Sequence, residues 1–254
     1  MNICMFTNTY LPHVGGVARS VSAFESDLQK LGHRVLIVAP TFPDDNESDS
    51  QESHVLRVPA IQNFNGSDFS VRIPIPFIID ERIDAFKPDI IHSHHPFLLG
   101  DAAMRTAYRR ELPLVFTHHT LYEQYTHYVS SQSKTMKRFV IKMTTAYANM
   151  CNHVVAPSQS VADLIRERGV KTPVTVIPTG VDFNRFQEGD GAGLRKEFGI
   201  PGSARVIGHL GRLAPEKNLN YLAKAVKRYL RNNHDAWFLV VGDGPSKQDI
   251  KRTF

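Results

Sequence analysis

Cysteine, tryptophan and long apolar runs are scarce in this sequence. Its 254 residues include 2 cysteines and 1 tryptophan. Cys4 and Cys151 lie in or beside apolar segments, which is typical of core thiols in a reducing compartment and not of a disulfide framework. No run of about 18 apolar residues occurs, and the N-terminus lacks a basic head followed by an apolar stretch. We therefore expect no membrane span, no signal peptide and a cytoplasmic location.

Two common ligand motifs are also missing. No Asp-x-Asp pair is present to hold a divalent metal, and no Gly-x-Gly-x-x-Gly follows the first apolar segment, which excludes a dinucleotide site. His92, His94 and His95 are the closest approach to a metal motif. Alternation on a strand places His92 and His94 on one side, but no third ligand follows at a spacing usual for zinc. We therefore expect neither a metal nor another cofactor.

Charge is unevenly distributed along the chain. The net charge is +5, which permits a negative ligand or an anionic membrane surface but requires neither. Between Gln124 and Ala162 there is no Asp or Glu, whereas Lys134, Lys137, Arg138 and Lys142 cluster at the start of one helical segment. Such a helix can lie on anionic lipid, gaining about 1 kcal/mol per cation. It can equally be a core-packed helix with a solvated basic face, and the residues alone leave both interpretations open.

Short apolar runs alternate with helical periodicity, which predicts an α/β protein with a parallel sheet covered by helices on both faces. The predicted strands are Asn2–Phe6, Arg34–Ala39, His54–Val58, Asp89–His92, Pro113–Thr117, His153–Ala156, Val174–Ile177, Arg205–His209 and Trp237–Val241. The predicted helices are Val17–Leu31, Phe77–Phe86, Leu98–Arg110, Lys134–Met150, Ser160–Arg168 and Asn220–Leu230.

Two loops have the residues of an anion site. Gly15 and Gly16 open the first helix directly after the first strand, where free N–H groups and the helix dipole favour a phosphate. Arg212 and Lys217 lie between a later strand and a helix, at the strand's C-terminal end, where ligands of open α/β sheets bind. Arginine offers a planar fork and lysine a compact charge, so the pair suits a diphosphate. Solvated cations and a merely tight glycine turn are the structural alternatives.

These pieces together resemble a known family. Gly15-Gly16-Val17, Gly211-Arg212-x4-Lys217 and Gly242-Asp-Gly-Pro245 are similar to the retaining glycosyltransferases of family four (glycosyltransferase group 1), which have the GT-B fold of two Rossmann-like domains. The resemblance implies a nucleotide-sugar donor, no metal, and no nucleic acid as a partner. It implies that Gly15, Gly16, Arg212, Lys217 and Gly242 bind the donor diphosphate, and that His119 contacts the donor sugar near the reacting carbon. His118 is the neighbouring alternative to His119.

A narrower resemblance concerns the acceptor. The segments Asn63–Pro74 and His119–Tyr128 look like bacterial glucosyltransferases that act on diacylglycerol and dock on the inner face of the plasma membrane. This implies UDP-glucose as donor, a lipid acceptor near Tyr122 and Tyr125, and an anionic membrane surface near Lys134, Lys137 and Arg138. It also implies transfer with retention, the leaving phosphate taking the acceptor proton. The alternatives are a soluble sugar or polyol acceptor, and a non-catalytic binding module.

The domain limits follow from the same pattern. We predict an N-terminal, acceptor-side domain over residues 1–183, a linker over 184–202 with one short helix, and the first part of a nucleotide-sugar-binding domain over 203–254. The last segment supplies only two strands, too few to close a doubly wound sheet. It also lacks the glutamate pair with which the family holds the donor. We therefore expect this second domain to be incomplete.

Overall fold

The computed structural model describes residues 1–13, 15–41, 54–61, 71–72, 79–124, 133–181 and 186–254. The chain forms two compact units, Met1–Gly180 and Val181–Phe254. The domain limits inferred from the sequence stay a prediction, since the second unit also includes the described part of the predicted linker.

A parallel sheet of 7 strands forms the centre of the first unit. Its strands in chain order are β1 (Asn2–Phe6), β2 (Arg34–Pro40), β3 (Val55–Val58), β6 (Ile90–Ser93), β7 (Leu114–Thr117), β8 (His153–Ala156) and β9 (Val174–Val176). A separate antiparallel pair consists of β4 (Ala60–Ile61) and β5 (Val71–Arg72). The spatial order β3-β2-β1-β6-β7-β8-β9 reverses direction between β1 and β6. Open α/β sheets bind their ligands at this switch point, outside the carboxyl ends of the strands.

Helices cover both faces of this sheet, as the alternating pattern predicts. The helices of the first unit are α1 (Gly16–Lys30), α2 (Asp80–Phe86), α3 (Leu99–Arg109), α4 (Lys134–Asn149) and α5 (Gln159–Glu167). These bounds lie within one or two residues of the sequence expectation, except at the start of α2, which falls next to residues outside the described set. The α/β class with a parallel sheet is therefore confirmed.

Alternation along the strands divides the core into two layers. Ile3 and Met5 of β1 face α1 and pack with Val21 of that helix. Cys4 and Phe6 face the opposite layer, which α2 to α5 cover. Burial of both faces explains why β1 and β2 are nearly continuous apolar runs.

The second unit is smaller and its sheet is less buried. Strands β10 (Arg205–Leu210) and β11 (Ala236–Val241) pair in parallel, and none of their residues is fully buried. The helices of this unit are α6 (Gly191–Glu197), α7 (Leu219–Arg231) and α8 (Lys247–Thr253). A small core of Leu213, Leu219 and Ile250 holds the last two helices together. The predicted short helix between the domains is present as α6.

Candidate functional site

The N-terminus of α1 lies at the switch point and has no side-chain cap. Gly15 is its N-cap residue in extended backbone, with φ −161°, and no side chain accepts a hydrogen bond from the N–H groups of the first turn. No acidic residue lies in that turn. A Cβ added at Gly16 would meet nothing within 4 Å, so no atom of the described chain requires glycine there. The free N–H groups of this turn can bind an anion.

His92 of β6, His94 after β6 and His119 after β7 form a column of neighbouring rings beside α1. The rings of His92 and His94 lie 4.1 Å apart between centroids, and the rings of His94 and His119 lie edge to edge and nearly parallel, with centroids 5.1 Å apart. Nδ1 of His94 is 2.9 Å from Nε2 of His119, within hydrogen-bond distance. Phe24 of α1 contacts His92 and His94 with ring centroids 5.7 and 5.9 Å away. The column therefore joins α1 to the ends of two neighbouring strands.

Burial keeps these imidazoles neutral. It lowers the pKa of His92 to about 3 and that of His119 to about 4, and a neighbouring histidine adds to each shift. The pKa of His94 is lowered well below its usual value, first by burial and then by repulsion from His92, His119 and His95. Burial also lowers the pKa of His95 to about 3. At neutral pH each ring therefore has one N–H group and one bare nitrogen.

The predicted sugar-contacting residue, His119, lies in this column directly after β7. It is partly exposed, and its only ring hydrogen bond within the described part of the chain is the one to His94. The alternative residue, His118, is buried and turns to the other side of the strand end, where it contacts Phe116 and Tyr122. His119 thus has an accessible ring nitrogen. Its role in sugar binding stays a prediction.

The structure places the two predicted acceptor tyrosines differently. The ring of Tyr122 packs against Phe97 and His118, at centroid distances of 5.6 and 6.0 Å. Its hydroxyl is buried and has no hydrogen-bond partner in the part of the chain that the structure describes. Tyr125 lies outside the described residues. A role for either residue at the acceptor stays a prediction.

In the second unit, the loops after β10 and β11 are hydrogen-bonded to each other. The Leu213 N–H donates to the Asp243 carbonyl, and the Ser246 N–H donates to the Leu213 carbonyl, both at 2.8 Å. Gly242 has φ +145°, and a Cβ there would lie 1.9 Å from the carbonyl oxygen of Gly211. Close approach of the two backbones therefore explains this glycine without a ligand.

The two predicted phosphate-binding cations lie in the first of these loops. Arg212 follows β10 and is half-buried, whereas Lys217 is exposed at the end of a single 3₁₀ turn, Pro215–Lys217. The N-cap of α7, Asn218, adopts left-handed backbone and its side chain caps no first-turn amide. Lys217 therefore lies directly before an uncapped helix N-terminus, and Arg212 lies earlier in the same loop. A cation at that end opposes the helix dipole, so an anionic ligand would explain the position of Lys217.

Helix α4 has a row of cations beside a row of apolar side chains. Lys134, Arg138 and Lys142 are exposed at successive intervals of four residues, which places them on one side of the helix. Phe139 and Met143, one position further round, are 56% and 45% exposed. The opposite side packs inward. Lys137, also predicted at the membrane, is half-buried.

Among the described residues, no three His, Cys, Asp or Glu side chains are arranged to hold a metal ion. Within the same ranges no helix is both long and apolar enough to cross a bilayer.

Comparison with family models identifies the chain's relatives. The model described as glycosyltransferase family 4 matches residues 14–185, more than half of the chain, and the model described as glycosyl transferases group 1 matches residues 192–253. The chain belongs to glycosyltransferase family 4. The family inferred from the sequence is thereby confirmed.

Two curated relatives match almost the whole of this family 4 chain. The alpha-monoglucosyldiacylglycerol synthase of Streptococcus pneumoniae is 30% identical over 99% of the chain and 58% of its own length. The GDP-mannose-dependent alpha-mannosyltransferase of Corynebacterium glutamicum is 30% identical over 99% of the chain and 59% of its own length. The chain therefore spans about three fifths of the length of these relatives.

Solved structures match the fold. The Anabaena protein HepE, in its complex with UDP-glucose, superposes with a TM-score of 0.67 at 19% identity, covering 99% of this family 4 chain and 64% of HepE. Together with the parallel sheet, this likeness confirms the expected GT-B fold class.

The contact between His94 and His119 was not predicted from the sequence, because His94 was considered only as a possible zinc ligand. A signal was present. Ser93-His94-His95 and Thr117-His118-His119 repeat the same residue types at the ends of two buried strands. Strands from consecutive α/β units are neighbours in most parallel sheets, so the two histidine pairs were candidates for contact.

Proposed function

We propose that this chain is part of a hexosyltransferase that takes glucose from UDP-glucose and transfers it to diacylglycerol. Family membership supports glycosyl transfer, and the 30% identity to an alpha-monoglucosyldiacylglycerol synthase supports the donor sugar and the acceptor. The observation that carries the proposal is the pair of uncapped helix N-termini, one beginning at Gly16 and one following Arg212 and Lys217. Both follow the C-terminal end of a strand, where this fold class binds ligands.

The chemistry asked of these groups is charge stabilisation. The bond between the sugar C1 and the diphosphate oxygen breaks, and a bond from C1 to the acceptor oxygen forms on the same face. The acceptor's hydroxyl proton passes to the leaving phosphate oxygen. Negative charge therefore develops on the diphosphate, and Arg212 and Lys217 of the second unit would stabilise it without a metal. The first unit offers the amides at Gly16 and the ring of His119, neutral at pH 7, as groups that can hydrogen-bond a nucleotide sugar.

Binding of UDP tests the donor half of the proposal. Calorimetry should give an affinity about 10- to 100-fold weaker for Arg212→Ala and Lys217→Ala, because each removes charge-assisted hydrogen bonds. Lys224→Ala, an exposed lysine on α7 away from the strand-end loops, is the matched control and should bind as the wild type does. Equal losses in all three variants would contradict a specific diphosphate site.

Donor selectivity needs a separate comparison, because the Corynebacterium glutamicum relative is named for GDP-mannose. Wild-type protein is titrated with UDP-glucose and with GDP-mannose under the same conditions. Tighter binding of UDP-glucose supports the proposal. Tighter binding of GDP-mannose would mean that the donor is GDP-mannose and not UDP-glucose, while the proposed diphosphate site would be unchanged.

The exposed rows of α4 support the lipid acceptor, since an enzyme acting on a membrane lipid must reach the bilayer surface. Phe139 and Met143 would enter the headgroup region while Arg138 and Lys142 meet anionic phosphates. Each cation near such a surface contributes about 1 kcal/mol. Replacing Arg138 and Lys142 with Gln should therefore weaken binding to anionic vesicles about 30-fold.

Vesicle sedimentation measures this effect with vesicles containing or lacking anionic lipid. Phe139→Ser with Met143→Ser should also release the protein from anionic vesicles. Leu31→Ser is the matched control, because Leu31 is 72% exposed but follows α1, which packs on the other face of the sheet from α4. Binding that does not depend on anionic lipid, or that survives both double substitutions, would leave a soluble acceptor as the better hypothesis.

A further inference from the structure

We propose that His94 is a positioning residue that sets the tautomer of His119, so that His119 presents an N–H donor, and not a bare nitrogen, at its accessible Nδ1 atom. The proposal rests on the proposed function only for the identity of the ligand that receives this hydrogen bond. The tautomer itself follows from contacts within the first unit.

The contact between the two rings allows two arrangements. Nδ1 of His94 and Nε2 of His119 lie 2.9 Å apart, so one nitrogen must donate and the other accept. Burial lowers the pKa of both side chains below neutrality, so each ring has a single proton. Either His94 donates from Nδ1, or His119 donates from Nε2.

The surroundings of His94 distinguish the two. Its other nitrogen, Nε2, is buried and has no hydrogen-bond partner among the described residues. If His119 donated, the single proton of His94 would lie on this enclosed atom with nothing to accept it. Orphaned buried N–H groups are rarer than under-used acceptors, because the desolvated donor loses its water without compensation. His94 therefore donates from Nδ1, and its Nε2 is the bare nitrogen.

The position of His94 is strongly constrained. Its backbone N–H donates to the Phe6 carbonyl of β1 at 2.9 Å, and its side chain is completely buried. The ring lies between His92 and His119, with Phe24 of α1 at 5.9 Å. A ring held this firmly orients His119 as well as polarising it.

The consequence concerns the accessible side of His119. Because Nε2 of His119 accepts from His94, its own proton lies on Nδ1. Nδ1 has no hydrogen-bond partner in the described part of the chain. The geometry thus assigns His119 as a donor to a sugar hydroxyl or phosphate oxygen, and excludes it as a general base while its proton is in place.

Long-range proton–nitrogen NMR spectra of the full chain test the tautomer without any activity. Protonated and bare ring nitrogens have well-separated shifts, and His119→Gln assigns the signals by their loss. The expected result is a protonated Nδ1 on His119. A protonated Nε2 in the wild type would overturn the proposal, whether or not the protein proves to be a transferase.

Two substitutions of His94 test whether this residue sets the tautomer of His119. Asn places an amide N–H near the Nδ1 position, so His94→Asn should keep His119 protonated at Nδ1. His94→Leu removes the donor and should release His119 toward the Nε2-protonated form that histidine favours in water. An unchanged tautomer in a folded His94→Leu protein would show that His94 does not set it. If that variant does not fold, the wild-type spectrum and His94→Asn still decide.

A ligand arm separates this inference from the proposed function. His119→Asn retains a donor at the Nδ1 position, so its affinity for UDP-glucose should be close to that of the wild type. His119→Gln lacks a donor at that position, and its affinity for UDP-glucose should be about 3- to 10-fold weaker. A smaller loss for Gln than for Asn contradicts the donor role. If the wild type does not bind UDP-glucose, the proposed function is contradicted, while the NMR spectra still decide the tautomer of His119.

Discussion

The buried histidines make the first unit sensitive to acid. The pKa is lowered to about 3 for His92 and His95 and to about 4 for His119, mainly by burial. In the unfolded chain the same side chains titrate near pH 6.5. Between pH 6.5 and 4 the unfolded state therefore binds protons that the folded state does not. Their contribution to stability is complete above pH 6.5 and falls as the pH drops toward 4.

The size of this effect follows from linkage. Each such histidine costs about 1.4 kcal/mol per pH unit below 6.5. Lowering the pH from about 7.5 to 5.5 should thus reduce the free energy of unfolding by about 4 kcal/mol for the three together. Domains are typically stable by about 5–15 kcal/mol, so the first unit should approach its unfolding midpoint near pH 5.

Urea denaturation at the two pH values measures the loss. Far-UV circular dichroism follows both units, whereas Trp237, the sole tryptophan, lies in β11 and reports the second unit by fluorescence. His92→Gln removes one titrating ring and should shrink the pH-dependent loss by about 1.4 kcal/mol. The reasoning is refuted if the first unit loses less than about 1 kcal/mol, or if His92→Gln leaves the loss unchanged.

Three further predictions follow from packing. Gly242→Ala should destabilise the second unit by about 3 kcal/mol or more, because the added Cβ would overlap the Gly211 carbonyl and the residue has a positive φ. Urea denaturation followed by Trp237 fluorescence measures this loss. Gly16→Ala is the control and should change stability by less than about 1 kcal/mol, because the space around its Cβ is open. Arg168→Leu should cost about 3 kcal/mol, because Glu123 is 5% exposed and Arg168 donates to it at 2.7 Å; thermal denaturation measures the loss, and an unchanged midpoint would contradict it. Cys4 and Cys151 should both resist a disulfide reagent at pH 8 in the folded protein and react once unfolded, since burial raises the pKa of both thiols; rapid labelling of either in the native state would show that its segment opens.

Much of the local structure could be predicted because its cause is local. Fully buried strands such as Arg34–Pro40 need continuous apolar residues, and α7 needs apolar residues three and four apart. Gly15 and Gly16 mark the start of α1, which is again a local feature because it depends on the residues of a single loop. Placement of Arg212 and Lys217 after a strand also followed from order along the chain.

Other features could not be predicted, because they depend on which strands become neighbours. The inward packing of Tyr122 depends on its contact with Phe97, which follows a different strand and is distant in the sequence, as well as on the nearby His118. The interpretation of Gly242 as a phosphate-binding residue likewise did not consider the Gly211 backbone, against which it packs.

The sequence by itself determined the α/β class, the parallel order of elements and the family, since these depend on periodicity and on motifs within single loops. Only the tertiary structure decided that His94 and His119, 25 residues apart, share a hydrogen bond. That pairing requires β6 and β7 to lie side by side with their ends level. Hydrogen bonds between strands and the packing of α1 over them set that register, and no single segment encodes it.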